Sequence, residues 1–300
     1  MKRNRLIGSA VTALTAASAF AIVAAVVVII TDVVIGGWGT FSWDFIVGKP
    51  TEGMTTGGIF PAIFGTFLLV VIMSVAGVPI GTVTAIYLSE YSSQKSVLAR
   101  LIRFAVNTLA GVPAVVFGLF GLGFFVQFVG SGMDKIFTGG LELRWGQPNI
   151  LWASLTMSLL TLPVVIVSVE EAIKTVPRDL REASLALGAT KWETIRKVVI
   201  PHSLTGILTG GILAVSRGAG EVAPILFTGA AYFLPRLPSS LSDQFMELGY
   251  HIYIMSTQSP DVEATKGIQY ATTLVLLLLT FVLNFSAIFL RYKIRKRKMA

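Results

Sequence analysis

The 300-residue sequence contains no cysteine, only two histidines and little charge. Without cysteine there is no disulfide framework, no thiol nucleophile and no thiolate metal site. His202 and His251 are too few for a histidine-rich metal cluster. Asp, Glu, Lys and Arg make up 13% of the residues, about half the share usual in a soluble domain. A phosphate-binding loop is also missing. The one Gly-Lys pair, Gly48-Lys49, is followed by Pro50, where that loop needs Ser or Thr. No His/Asp/Cys constellation offers a nucleophile or metal cluster for a membrane enzyme acting on lipid phosphates.

What is present is apolar sequence, 54% of the chain, in long charge-free runs. A bilayer-crossing helix needs about 20 mostly apolar residues. Six segments qualify, near 10–31, 64–88, 104–128, 149–168, 204–228 and 269–290. The expected fold class is an all-α membrane protein with six transmembrane helices. Lys2, Arg3 and Arg5 before an apolar run resemble a signal peptide. The charge-free run from Leu6 to Thr31 outlasts a cleavable core of roughly 7–15 residues, so an uncleaved first span is expected.

Loop charges set the orientation. Eighteen of the 24 Lys and Arg residues fall in the N-terminal tail, the second loop, the fourth loop and the tail after Leu290. The fourth loop alone has six: Lys174, Arg178, Arg181, Lys191, Arg196 and Lys197. The other three loops hold five, and Arg217 lies inside span five. Both termini are expected in the cytoplasm. The net charge of +8 is then a matter of topology and anionic lipid, not of nucleic acid.

Residues 170–201 are too polar for lipid and too patterned for a linker. Pro177 suits a helix start, with Asp179 and Glu182 near its positive end. Leu180, Ala183, Ser184 and Leu187 recur at i, i+3, i+4 and i+7. Gly188 fits the position after a helix C-terminus. Thr190 and Glu193 have capping-box spacing for a second helix, whose apolar face is Trp192, Ile195 and Val199. Pro201 is expected to open the next span. The loop therefore reads as helix, glycine turn and helix, with a small apolar surface that a soluble partner would cover.

This stretch resembles the EAA loop of ABC-importer permeases. Glu182, Ala183 and Ser184 fill its Glu-Ala-Ala places, Gly188 its glycine, and Val198, Ile200 and Pro201 its closing Ile-x-Leu-Pro. Ser184, Val198 and Ile200 depart from the pattern, each conservatively in size. The resemblance implies the type I importer permease fold, with cytoplasmic coupling helices that insert into a separate ATPase.

Span five carries Arg217 and Glu221, four residues apart and expected on one helix face. A charge at membrane depth is costly unless paired or facing water. The pair is either a self-neutralising structural bridge, or Arg217 faces the pathway and forks onto an oxyanion. In the second case Glu221 holds Arg217 or exchanges with the substrate. The runs Gly220–Gly229 and Leu248–Tyr253 resemble the PstA family, second permease subunits of bacterial phosphate ABC importers. His251, inside the second run, reads as a packed loop histidine more readily than as a pH sensor. Tyr232, Phe233, Leu234 and Leu237 form either an interfacial patch or a contact for an external protein.

The resemblance implies a multi-pass bacterial inner-membrane subunit with no catalytic residue, metal or cofactor of its own. Implied partners are a second homologous permease (PstC-like), an ABC ATPase dimer (PstB-like), an external phosphate-binding protein (PstS-like), phosphate and the bilayer. Three parts are expected: 1–63 with the first span and external loop, a core of 64–290, and a basic tail of 291–300. Rival readings are another cargo on the same scaffold, such as sulfate, molybdate or an amino acid, and an ATP-independent secondary transporter.

Overall fold

A computed structural model describes residues 2–51, 56–93, 95–259 and 261–299. Glu52 lies outside them, as do the side chains of Lys2, Arg3, Arg5, Arg297 and Lys298. Among the described residues the chain is mostly helical, with a two-stranded hairpin pairing Pro50 with Gly57 and Thr51 with Thr56 and a long non-helical stretch over 219–247.

Nine helices frame the site. They are α1 (Lys2–Trp38), α2 (Phe60–Ile86), α3 (Val97–Ala110), α4 (Ala114–Thr138), α5 (Ile150–Lys174), α6 (Arg178–Ala186), α7 (Lys191–Gly218), α8 (Leu248–Thr257) and α9 (Val262–Met299). Six of them, α1, α2, α4, α5, α7 and α9, are long and apolar enough to cross a membrane. A π turn at Tyr87–Tyr91 extends α2.

The central helix is α5, packed between α2 and α7. Of its most apolar stretch 67% is buried, against 6% for α1 and for α9, which lie together at the periphery. Lipid tails offer no hydrophobic incentive for helices to associate, so packing must hold α5 in place. Small residues allow it. A Cβ on Gly81 would come within 2.6 Å of Val165, and one on Gly206 within 2.1 Å of Ala172. At 25 residues α5 spans about 37 Å, more than the ~30 Å hydrocarbon core. Its last turn, with Glu170, Glu171 and Lys174, therefore emerges from lipid. At its start, Asn149 Oδ1 accepts from Trp152 N at 2.9 Å and caps the helix.

Two spans differ most from those expected. The third span begins at Ala114, not near 104. Pro113 has no N–H to donate and disfavours helix at the residue before it, so the chain breaks at Gly111–Pro113. The preceding α3 is a separate amphipathic helix. Ala99 is buried and Ile102 and Val106 pack on the core, while Leu98, Leu101 and Phe104 stay exposed. The fifth span starts earlier and ends earlier than 204–228. It is continuous from Lys191 and stops at Gly218.

Candidate functional site

The loop between α5 and α7 has the expected form. Pro177 precedes α6, Asp179 lies in its first turn, and the helix ends at Ala186. Gly188 has φ of +83°, where an L side chain is strained, and the main chain closes around it with Gly188 N donating to Leu185 O and Ala189 N to Ser184 O. Thr190 N donates to Glu193 Oε2 at 2.9 Å and Glu193 N to Thr190 Oγ1 at 3.3 Å, a complete capping box. Pro201 does not open a span. It sits inside the continuous α7 just after a π turn at Ile195–Val199, where Ile200 N reaches back to Ile195 O. The widened turn accommodates a residue that cannot donate.

The second helix divides its apolar face. Ile195 and Val199 are buried against Val165, Val169 and Ile173 of α5, whereas Trp192 is 54% exposed. Leu180, Leu185 and Leu187 are exposed as well. Glu182 and Ala183 are exposed, and Ser184 is half-buried with Oγ 2.9 Å from Thr194 Oγ1, joining the two helices. The loop therefore presents leucines, a tryptophan and small residues outward.

Ion pairs that loop charge counting does not reveal tie it to neighbouring helices. Arg181 donates to Glu90 Oε1 at 2.9 and 3.2 Å, to Val176 O at 2.6 Å and to Ile173 O at 2.8 Å. This ties α6 to the ends of α2 and α5. Arg103 of α3 is paired with Glu170 of α5 and donates to Leu88 O. The loop, α3 and the π turn after α2 thus share one basic end. Arg181→Ala leaves the Glu90 carboxylate, 11% exposed, without its cation. The expected cost is about 2–3 kcal/mol, read as a lowered melting temperature in detergent, with Glu90→Gln in the same chain recovering part of it.

Arg217 and Glu221 do not share a helix face. Arg217 is exposed in the last turn of α7, and Glu221 lies beyond its end, half-buried. Among the described residues no ion pair joins them. The structural-bridge reading is therefore not what this conformation shows. Depth follows from Gly218, whose missing Cβ leaves room for Met73 and Met157. Met157 is seven residues into α5, about 10 Å from that end of the helix. Residues 219–247 then run largely as turns and loop, of which 224–231 are mostly buried in protein: Asn149 N donates to Thr228 O, Ala231 N to Phe245 O, and Ile225 and Thr228 are fully buried, whereas Tyr232, Phe233, Leu237 and Leu241 are exposed. Irregular backbone survives at membrane depth only under such cover.

The two PstA-like runs meet here. Val222 approaches Gly249 so closely that a Cβ there would lie 2.7 Å from it. Between the runs, Glu247 is a buried residue the sequence reading missed. Its Oε2 accepts from Tyr250 N at 2.6 Å and caps α8, and Thr66 of α2 donates to its Oε1 at 3.3 Å. An acidic residue just before Leu248-Gly249-Tyr250 was the available signal. Burial raises the Glu247 carboxyl to about 7. His251, 2% exposed with no partner for Nδ1, is packed, and burial lowers it to about 4.

These shifts oppose one another. Glu247, raised, favours the folded state at low pH, and that contribution is lost as pH rises from about 4.5 to about 7. His251, lowered, favours it at high pH, and that contribution is lost as pH falls from about 6.5 to about 4. Each swing is about 3 kcal/mol. The melting temperature of the native chain is expected to vary little between pH 4.5 and 6.5. Glu247→Gln should make it fall on acidification, and His251→Gln should make it fall as pH rises.

Six apolar helices, an exposed helical hairpin at the basic end and a fifth span that stops at Gly218, with Arg217 in no ion pair among the described residues, define a membrane transport permease. Residues 77–299 match the family described as "Binding-protein-dependent transport system inner membrane component", and the chain belongs to that family. It is 33% identical over 295 residues to the probable ABC transporter permease protein YqgI of Bacillus subtilis, covering 93% of this chain and 94% of that one. It is 38% identical over 197 residues to the phosphate transport system permease protein PstA of Yersinia pestis (65% of this chain, 57% of that one), and 39% over 170 residues to that of Mycobacterium leprae (57% and 50%). The matches to these PstA proteins span little more than half of their length. The fold is that of solved importers. A bacterial alginate ABC transporter aligns with TM-score 0.59 at 17% identity, over 89% of this chain and 91% of that one. The MetNI methionine ABC transporter aligns with TM-score 0.52 at 17%, over 79% and 94%. The protein is a multi-pass inner-membrane permease subunit of the type I ABC-importer fold.

Proposed function

We propose that the chain is the PstA-type permease of an ATP-driven phosphate importer and forms half of the translocation pathway. The observation that carries the cargo is the similarity to the PstA proteins; the two runs that resemble that family, 220–229 and 248–253, meet at Val222 and Gly249. ABC-importer permeases work with an ATPase and a periplasmic binding protein. Here the partners are a PstB-like ATPase dimer, a PstC-like second permease and a PstS-like binding protein.

In this reading the basic end and both termini face the cytoplasm. The hairpin around Glu182, Ala183, Ser184 and Gly188 sits in the ATPase, and Pro201 follows the π turn through which its movement reaches α7. The subunit hydrolyses nothing and needs no cofactor. ATP-driven closure of the ATPase pair pushes on α6, and the ion pairs of Arg181 and Arg103 pass the displacement to α2 and α5 as a unit. Arg217 offers its guanidinium to the oxyanion where α7 stops. Glu221 exchanges with the anion for Arg217 only after the 219–228 segment moves.

The cargo is tested by phosphate uptake in cells or vesicles carrying the complete complex, with excess sulfate or molybdate as competitor. Phosphate uptake that resists both competitors is the expected result. Uptake that either competitor abolishes assigns the scaffold to that anion instead.

A further inference from the structure

At the basic end, two adjoining clefts of about 530 and 630 Å³ share Ser89, Lys174 and Arg178 in their walls. They lie between the end of α2, helix α3 and the start of α6, at least 35 residues in sequence from Arg217. Most of their charges are already matched. Arg103 and Lys174 are paired with Glu170, and Arg181 with Glu90. Two arginines in the larger cleft are different. Arg100 of α3 and Arg178 of α6 have no ion pair among the described residues. The same wall holds Ser89, whose Oγ is buried without a hydrogen-bond partner, and Ser92 and Ser93. A buried hydroxyl without a partner has a desolvation cost that a ligand oxygen would remove.

Two guanidiniums without an ion pair among the described residues and three serines lining one cleft are the groups that bind a phosphate group. Arginine forks onto tetrahedral oxyanions, and serine hydroxyls donate to the remaining oxygens. We infer that this cleft is a second anion site, for a phosphate-bearing group, framed by Arg100, Arg178 and Ser89. Two sources fit it. One is the headgroup of an anionic phospholipid. Leu98, Leu101 and Phe104 are exposed on the helix that carries Arg100, which places apolar chains beside the cleft. The other is free inorganic phosphate on the basic side. Either ligand would bridge α3 to α6 and restrain the hairpin that carries Gly188. The site goes beyond the proposed transport role and does not depend on the identity of the cargo.

The test uses the full chain purified in a maltoside detergent. Retention of phosphatidylglycerol is measured by native mass spectrometry, and binding of labelled inorganic phosphate by equilibrium dialysis. In Arg100→Gln/Arg178→Gln one of the two ligands should bind at least about tenfold more weakly, which also names the source. A charge-matched control, Arg196→Gln/Arg295→Gln, should bind as the native chain does. Equal binding of both ligands to the native chain and the Arg100/Arg178 variant overturns the site, as does an equal loss in the control. A readout on the native chain avoids any folding defect. Phosphatidylglycerol or phosphate should slow phenylglyoxal modification of Arg100 and Arg178, mapped by peptide mass, but not that of Arg196. Unchanged modification of Arg100 and Arg178 with either ligand also overturns it.

Discussion

Gly188→Asp is expected to abolish ATP-driven uptake while the protein still inserts and accumulates in the membrane. The reasons separate folding from docking. Gly188 has φ of +83°, and a Cβ built there meets nothing within 4 Å. The intrinsic cost is therefore only backbone strain of about 1–2 kcal/mol, which Asp tolerates better than most residues. That is too little to unfold a helical bundle whose core lies against α5. The new carboxylate would instead project from the hairpin tip among Leu185, Leu187 and Trp192, all exposed. If an ATPase cleft covers that surface, the charge is buried without a partner, which costs several kcal/mol at the interface. Gly188→Ala adds the strain without the charge and should retain part of the uptake. Normal uptake by the Asp variant would remove the docking assignment.

Arg217→Ala should reduce phosphate uptake by at least about a hundredfold and leave assembly with the partner subunits unchanged. Arg217 is exposed in the last turn of α7 and lacks an ion pair among the described residues, so its loss orphans no carboxylate. A purely structural role predicts the reverse pattern, with poor assembly and normal transport per assembled complex. Arg217→Lys keeps the charge but loses the fork, and should fall between native and Ala. The readouts are uptake per assembled complex and the yield of that complex after affinity purification.

The parts of this structure legible in the sequence are those set by local rules. Six apolar runs gave six spans, and Gly188, Thr190 and Glu193 marked the hairpin turn because capping acts over three or four residues. Hydropathy could not show that α7 ends at Gly218. Residues 219–228 are apolar enough to continue a span, and only the tertiary partners of Thr228, Ala231 and Gly118 explain why they do not. The same blindness hid the break at Pro113, although its missing N–H was readable. Arg103 and Arg181 were visible only as topological charge, because their partners Glu170 and Glu90 lie 67 and 91 residues away. The expected shared helix face of Arg217 and Glu221 failed for the opposite reason. It assumed a helix through residues whose backbone bonds turn elsewhere.

The central claim is that this subunit transports only when a separate ATPase grips its hairpin. The most direct measurement is ATP hydrolysis by the purified complex in proteoliposomes, with and without phosphate-loaded binding protein outside. Hydrolysis should rise several-fold with the loaded protein, with uptake in step, and Gly188→Asp should remove both while ATPase subunits alone keep their basal rate. Phosphate accumulation by this chain without any ATPase, driven by an ion gradient, would contradict the account.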